Sequence, residues 1–155
     1  MVMTEINYKG IKQVFVRIPQ GKFLMGSPES EQGRWDDEQQ HEVTITQDFW
    51  MAEIACTQAL WQAVMGYYNP SEVKGGDLPV DSVSWEDCQK FIEKINADIP
   101  GPELCLPTEA QWEYACRAGT VTPFHFGETI TTDQVNFDGI CSYNKGRPCK
   151  KFSVQ

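Results

Sequence analysis

Leu104-Cys105-Leu106-Pro107-Thr108-Glu109-Ala110-Gln111-Trp112-Glu113-Tyr114-Ala115-Cys116-Arg117-Ala118-Gly119-Thr120 carries the start and stop signals of one short helix. Thr108 suits an N-cap, because its hydroxyl can accept from a first-turn N–H that no helical carbonyl reaches. Gln111, three residues on, can reach back and close a capping box, and Pro107 can staple against Trp112 one turn in. Gly119 supplies the left-handed position that ends the helix. The roughly ten residues between these signals are too few for a helix that is stable alone in water. Other elements are therefore expected to bury Trp112, Ala115 and Cys116.

The same local chemistry recurs along the chain. Thr57 caps a helix over residues 58–65, whose Trp61, Val64 and Met65 share a face and which Gly66 stops. Ser84 and Asp87 form an acidic capping box, and Val83 can staple onto Cys88. A further helix therefore runs from 85 to about 96, burying Cys88, Phe91, Ile92 and Ile95. Residues 14–18 are β-branched and aromatic, and Pro19-Gln20-Gly21 reads as a turn into residues 22–26, which predicts a hairpin. Residues 41–46 alternate apolar with polar as a half-buried strand does, and residues 49–54 are expected to continue that sheet. Short capped helices packed on hairpins make an α+β fold. At these spacings Trp50, Trp61, Trp85 and Trp112 are expected to be core, and a stacking platform for sugars or peptides is the less favoured reading.

The 155 residues are enough for one domain with a proper core, and 41% apolar residues with five Trp, eight Phe and five Tyr exclude a disordered chain. A net charge of −9 argues against sequence-independent nucleic-acid binding and against an anionic membrane surface, both of which need a basic face. The opening residues include Glu5 and lack an apolar core, so no leader is expected. No run approaches the roughly 18 apolar residues of a membrane span. A bacterial, cytoplasmic protein is the expectation. The six cysteines contain no Cys-x-x-Cys pair, so zinc spacing is missing and most are expected to be small buried hydrophobes. Asp36-Asp37-Glu38 reads as a solvated loop rather than a cation site, and His41 and His125 read as packing rather than chemistry.

Residues 106–115, Leu-Pro-Thr-Glu-Ala-Gln-Trp-Glu-Tyr-Ala, and 117–120, Arg-Ala-Gly-Thr, resemble the signature of the formylglycine-generating enzyme family, also called sulfatase-modifying factors. Residues 78–87 resemble the family's Leu-Pro-Val-x-x-Val-Ser-Trp-x-Asp, and Phe23-Leu24-Met25-Gly26 its Phe-x-Met-Gly opening. Cys56 stands where the family usually carries Val. The resemblance implies a single domain over 1–155 with a C-type-lectin-related α+β fold of short helices, small antiparallel sheets and long loops. It covers the first part of the family's domain, and the domain is expected to be truncated at its C-terminus.

The family's enzymes oxidise a cysteine of a client sulfatase to formylglycine with oxygen, using copper held by two late cysteines. Neither cysteine is matched, so no catalytic residue is assigned. Cys141 and Cys149, with Lys145, Arg147 and Lys150 nearby, are the alternative thiol pair, and their surroundings do not resemble the catalytic strand. A calcium-binding element of the family matches at Asn136 and, through its carbonyl, Phe137. The following loop, 141–151, supplies no carboxylate toward the six to eight oxygens calcium takes. The expectation is thus a non-catalytic module that binds a protein or peptide partner through loops 27–40 and 66–80, or self-associates through its C-terminal edge. The alternative is part of a copper-dependent oxidase acting on sulfatase cysteines, its catalytic half missing or supplied by another chain.

Overall fold

Tyr8 and Ile11 face each other across a two-residue turn, Lys9-Gly10, in which both residues have positive φ, 51° and 88°. That geometry matches the twist of the flanking strands, and the Asn7 side-chain oxygen accepts from the Gly10 N–H at 2.9 Å. The computed structural model describes residues 2–31, 33–101 and 103–135. Among them are strands β1 (Met3–Tyr8), β2 (Ile11–Ile18), β3 (Gly21–Met25), β4 (His41–Ile45) and β5 (Phe49–Ala52), and helices α1 (Gln58–Met65), α2 (Trp85–Asp98) and α3 (Glu109–Arg117). The chain forms two compact units, the first from Met1–Pro19 and Gln47–Pro107, the second from Gln20–Thr46 and the chain from Thr108 onward.

The strands pair differently from the sequence expectation. Residues 14–18 and 22–26 do not form a hairpin, because β2 lies between β1 and β5 in an antiparallel sheet and β3 pairs with β4. The chain does not reverse there: Gly21 already opens β3, which belongs to the second unit. Nor does β5 continue the sheet of residues 41–46; Phe49 faces Ile18 of β2.

In the first unit, α1 and α2 cover β1 and close a core of Tyr8, Leu60, Val64 and Ile95, with Phe91 and Leu104 packed against it. Burying Leu60 and Ile95 contributes about 1.5–3 kcal/mol each. Trp61, 2% exposed, stacks flat on Phe91 at 5.2 Å. Thr57 caps α1 by accepting from the Leu60 N–H, and Gly66 ends it at φ 83°. Ser84 and Asp87 cap α2 reciprocally, and α2 runs to Asp98, where Ile99 precedes Pro100 and must leave the helical region.

In the second unit, the Thr108–Gln111 capping box forms as expected, the Gln111 N–H donating to Thr108 Oγ1 at 3.2 Å and the Thr108 N–H to Gln111 Oε1 at 2.9 Å. The stop differs by one residue: Ala118 itself adopts the left-handed conformation at φ 46°, and Gly119 follows at φ 89°. The buried face of α3 also differs. Trp112 is 59% exposed and Cys116 is exposed, whereas Tyr114 turns onto Phe23 of β3, ring centroids 5.3 Å apart. The face is chosen by that ring contact and by Glu113 and Arg117 reaching Gly26, which outweigh the apolarity of Trp112. The four tryptophans expected in the core do not share one fate. Trp61 is buried, while Trp50, Trp85 and Trp112 are exposed.

Candidate functional site: a groove beside the second helix

Asn96, in the last turns of α2, turns both ends of its side-chain amide to the main chain of one residue. Its Nδ2 donates to the Leu104 carbonyl at 2.8 Å and its Oδ1 accepts from the Leu104 N–H at 2.9 Å. The side chain thereby does for residues 103–107 what a neighbouring strand would do, holding them alongside the helix. Leu106 precedes Pro107 and is restricted to extended conformations, so the segment stays straight up to the Thr108 cap. Between helix and segment lies an open groove of about 890 Å³. Trp85, Ile92, Leu104 and Leu106 supply its apolar walls, and Glu93 and Glu103 its charge; among the described residues no Lys or Arg lines it. Trp85 is 65% and Leu106 38% exposed, so the apolar wall faces solvent.

The loop over residues 66–80 is organised from beneath by Gln58, which is 1% exposed. Its Nε2 donates to the carbonyls of Val73 at 2.9 Å and Pro79 at 3.1 Å, and its Oε1 accepts from Asn69 Nδ2 at 2.7 Å and the Gly75 N–H at 3.0 Å. All four hydrogen-bonding positions of the amide are filled, which makes a buried glutamine tolerable. The loop presents Tyr67, Tyr68 and Val73 to solvent, Tyr67 in a left-handed conformation at φ 62°. In the second unit, the loop over residues 27–40 is pinned at its base by the Ser27 N–H donating to the Glu38 carbonyl at 3.1 Å and by the Ser27 hydroxyl donating to the Glu38 carboxylate. Trp35 stands exposed at its tip. The two loops named from sequence thus belong to different units, each ordered from within.

Glu38 is engaged with Ser27, and among the described residues no cluster of three or more His, Cys, Asp or Glu is placed to hold a metal. His41 Nδ1 lies 2.8 Å from the Gln39 carbonyl oxygen, and His125 packs edge-on against Phe126 at 4.5 Å. Asn136, Phe137, Cys141 and Cys149 lie outside the described residues. Four other thiols are free. Cys56 and Cys88 are half-buried, whereas Cys105 and Cys116 are exposed, contrary to the expectation of buried cysteines. Both exposed thiols sit on faces that no described element covers. Among the described residues no helix is long and apolar enough to cross a membrane.

Burial, with a smaller contribution from the neighbouring Cys88, pushes the Cys56 thiol up to about 11. Burial and then the Asp87 charge raise Cys88 as well. A thiol whose folded pKa is raised holds its proton longer in the folded state. Its contribution to stability is complete below the unfolded value and is lost as pH rises toward the folded one. Comparing denaturant midpoints at about pH 8 and about pH 10.5, the wild type is expected to lose on the order of 2 kcal/mol more than Cys56→Val. Equal losses in the two proteins would show that the thiol is no less solvated than in the unfolded chain.

Short capped helices over small antiparallel sheets, joined by long loops held through buried side-chain amides and carboxylates, define an α+β scaffold whose loops and helix margins carry its exposed apolar surface. The chain belongs to the family of the sulfatase-modifying factor enzyme 1-like domain, which it matches over residues 5–146. Its fold is that of the formylglycine-generating enzymes. PvdO from Pseudomonas aeruginosa superimposes with a TM-score of 0.66 at 24% identity, covering 78% of this chain and 53% of PvdO. Treponema denticola variable protein 1 superimposes with a TM-score of 0.62 at 25% identity, covering 80% of this chain and 59% of that one. A curated relative, the chaperone protein LppX of Paenibacillus barcinonensis, is 28% identical over 109 residues, an alignment taking in 50% of this chain and 38% of LppX. The chain therefore spans between about two fifths and three fifths of these proteins.

Sequence reasoning missed Asn96 and Gln58. Gln58 had a signal, since it stands at i, i+3 and i+7 with Trp61 and Met65 on an otherwise apolar face. A polar residue there must meet buried partners. Asn96 had none, because its partner is a main-chain unit.

Proposed function

We propose that this formylglycine-generating-enzyme-like module binds a protein partner, which docks in the groove beside α2. The observation that carries the reading is an apolar wall left open to solvent, with Trp85 as its most exposed member. Exposed aromatic side chains flanking a preformed groove are the usual anchors of protein recognition. The exposed Tyr67 and Tyr68 in the loop over residues 66–80 extend the apolar surface available on the same unit. A relative named as a chaperone protein supports a protein as the ligand class.

A second reading follows from the family itself, whose name describes enzymes that modify sulfatases. In that reading the chain is part of a copper-dependent oxidase. Cuprous copper is held by thiolates, and the half-buried pair Cys56 and Cys88 favours the protonated form. The described residues do not fit such a centre, and no step is assigned to them.

The two readings separate by experiment. Incubation with copper, oxygen and a Cys-x-Pro-x-Arg peptide is expected to give no aldehyde by mass spectrometry. A photo-crosslinking amino acid in place of Gln89, which lines the groove, is expected to give a discrete adduct with a protein in its host cell, lost in Trp85→Ala. Aldehyde formed by the purified chain, or an adduct indifferent to Trp85→Ala, would overturn the binding reading.

A further inference from the structure

Cys56 and Cys88 stand at the starts of two helices that the main chain ties together. The Cys56 carbonyl accepts from the Val80 N–H at 2.9 Å, and beside it Thr57 pairs with Pro79 in an antiparallel bridge. A few residues beyond Val80, Ser84 caps α2, and its carbonyl accepts from the Cys88 N–H at 3.1 Å. The first turn of α2 is thus tethered, through a short stretch of chain, to the residue that precedes the cap of α1.

Side-chain packing puts the two thiols at one interface. Phe91 of α2 stacks on Trp61 of α1, ring centroids 5.2 Å apart. Residues three apart on a helix are neighbours, so Cys88 lies one turn before Phe91 on the face that α2 turns to α1. Cys56 packs against the core of Tyr8, Leu60, Val64 and Ile95, as Phe91 does. Both thiols are free and half-buried, and the charge of Cys88 is among the causes that keep Cys56 protonated, so the two sulfurs lie within electrostatic reach. The Cys56 thiol donates to the Thr57 carbonyl at 3.7 Å, a long contact even for sulfur. That carbonyl also accepts from the Trp61 N–H at 2.9 Å, so losing the thiol proton leaves no buried acceptor without a partner.

We infer that Cys56 and Cys88 are a redox pair, which a small-molecule disulfide such as glutathione disulfide oxidises to a bond that clamps the start of α2 to the start of α1. The thiolate of one cysteine attacks the small disulfide, releasing one small thiol and leaving a mixed disulfide on the protein. The thiolate of the other then attacks the protein sulfur of that mixed disulfide and releases the second small thiol. The two cysteines give up two electrons and two protons, and the small disulfide carries them away as two thiols. The new bond closes the chain between positions 56 and 88, which holds α1 and the loop over residues 66–80, and so restricts the unfolded chain. Trp85 lies one turn before Cys88, so the bond also fastens the turn that carries the most exposed wall of the groove. The inference does not depend on what the groove binds.

The test incubates the folded chain with glutathione disulfide in mildly alkaline solution, quenches with acid, alkylates the remaining thiols and maps the peptides by mass spectrometry. The peptides containing Cys56 and Cys88 are expected to appear joined, lighter by two hydrogens than their sum and separated again by dithiothreitol. The exposed Cys105 and Cys116 are expected to carry glutathione instead. The oxidised protein is expected to melt about 5–10 °C higher than the reduced one, and Cys88→Ala is expected to lose both the joined peptide and the rise. The Cys88 and Val80 N–H groups, which hold the two helix starts, are expected to exchange more slowly once the bond has formed. Glutathione adducts alone at Cys56 and Cys88, or a joined peptide that forms only in urea, would overturn the pairing. A joined peptide with no rise in Tm would show that the bond strains the folded geometry and would overturn the clamp, as would a rise that survives in Cys88→Ala. The mapping is made on the unaltered chain, so the pairing is tested even if the variant does not fold.

Discussion

Arg117→Ala is expected to destabilise the second unit by about 3 kcal/mol, a fall in Tm on the order of 10 °C. Glu113 and Arg117 are each about one-fifth exposed, and they bind one another at 2.7 Å. Both also bind the main chain of Gly26: its N–H donates to Glu113 Oε1 at 2.9 Å, and its carbonyl accepts from Arg117 Nη2 at 2.9 Å. A second arm of the guanidinium reaches the Thr122 carbonyl at 3.4 Å. Removing the arginine strands a largely buried carboxylate and two carbonyls together, which is why the cost exceeds that of an ordinary surface pair. Arg117→Lys keeps the charge but cannot span three acceptors, and is expected to recover less than half of the loss. Urea denaturation reads the difference, and a loss below about 1 kcal/mol would mean that water replaces the guanidinium without penalty. The Trp-Glu-Tyr-Ala-x-Arg stretch that marks the family is, in this chain, the device that ties α3 to the end of β3.

The second large effect is expected at Gln58. Gln58→Glu preserves shape but exchanges two donors for an acceptor, so the carbonyls of Val73 and Pro79 face a carboxylate instead of an amide. Unsatisfied buried groups cost about 1–3 kcal/mol each, so the variant is expected to lose about 3–5 kcal/mol and to release the loop over residues 66–80 before the rest unfolds. Hydrogen exchange locates the release. The Ala59 N–H, bound to the Gly76 carbonyl at 3.0 Å, and the Gly75 N–H, bound to Gln58 Oε1 at 3.0 Å, are expected to lose protection first. Acidification is expected to restore part of the loss, because a protonated carboxyl regains one donor. Wild-type protection of these two amides in the variant would show that the loop is held by something other than the buried amide.

The helix starts were legible from sequence for a simple reason. Thr57, the Ser84–Asp87 pair and the Thr108–Gln111 pair find their hydrogen-bonding partners within three residues, so the chain's own geometry brings them together before any tertiary contact forms. Strand partners are not local. Ile18 meets Phe49 across the sheet, and nothing in either stretch names the other, so the nearest apolar run was the natural but mistaken choice. The Lys9-Gly10 turn was readable, with glycine at a position that requires positive φ between two alternating segments.

The sequence by itself determined the family and the three capped helices, because each depends on residue identities at short spacing. Only the tertiary structure decided which aromatics are core and where an apolar groove opens to solvent. Trp61 and Trp112 occupy comparable places on their helices, but one stacks on Phe91 and the other faces solvent. The difference lies in what packs opposite them. The groove exists because Asn96 holds a main-chain unit eight residues away. Any residue at position 104 other than proline offers that unit, so no side-chain pattern could have announced the site.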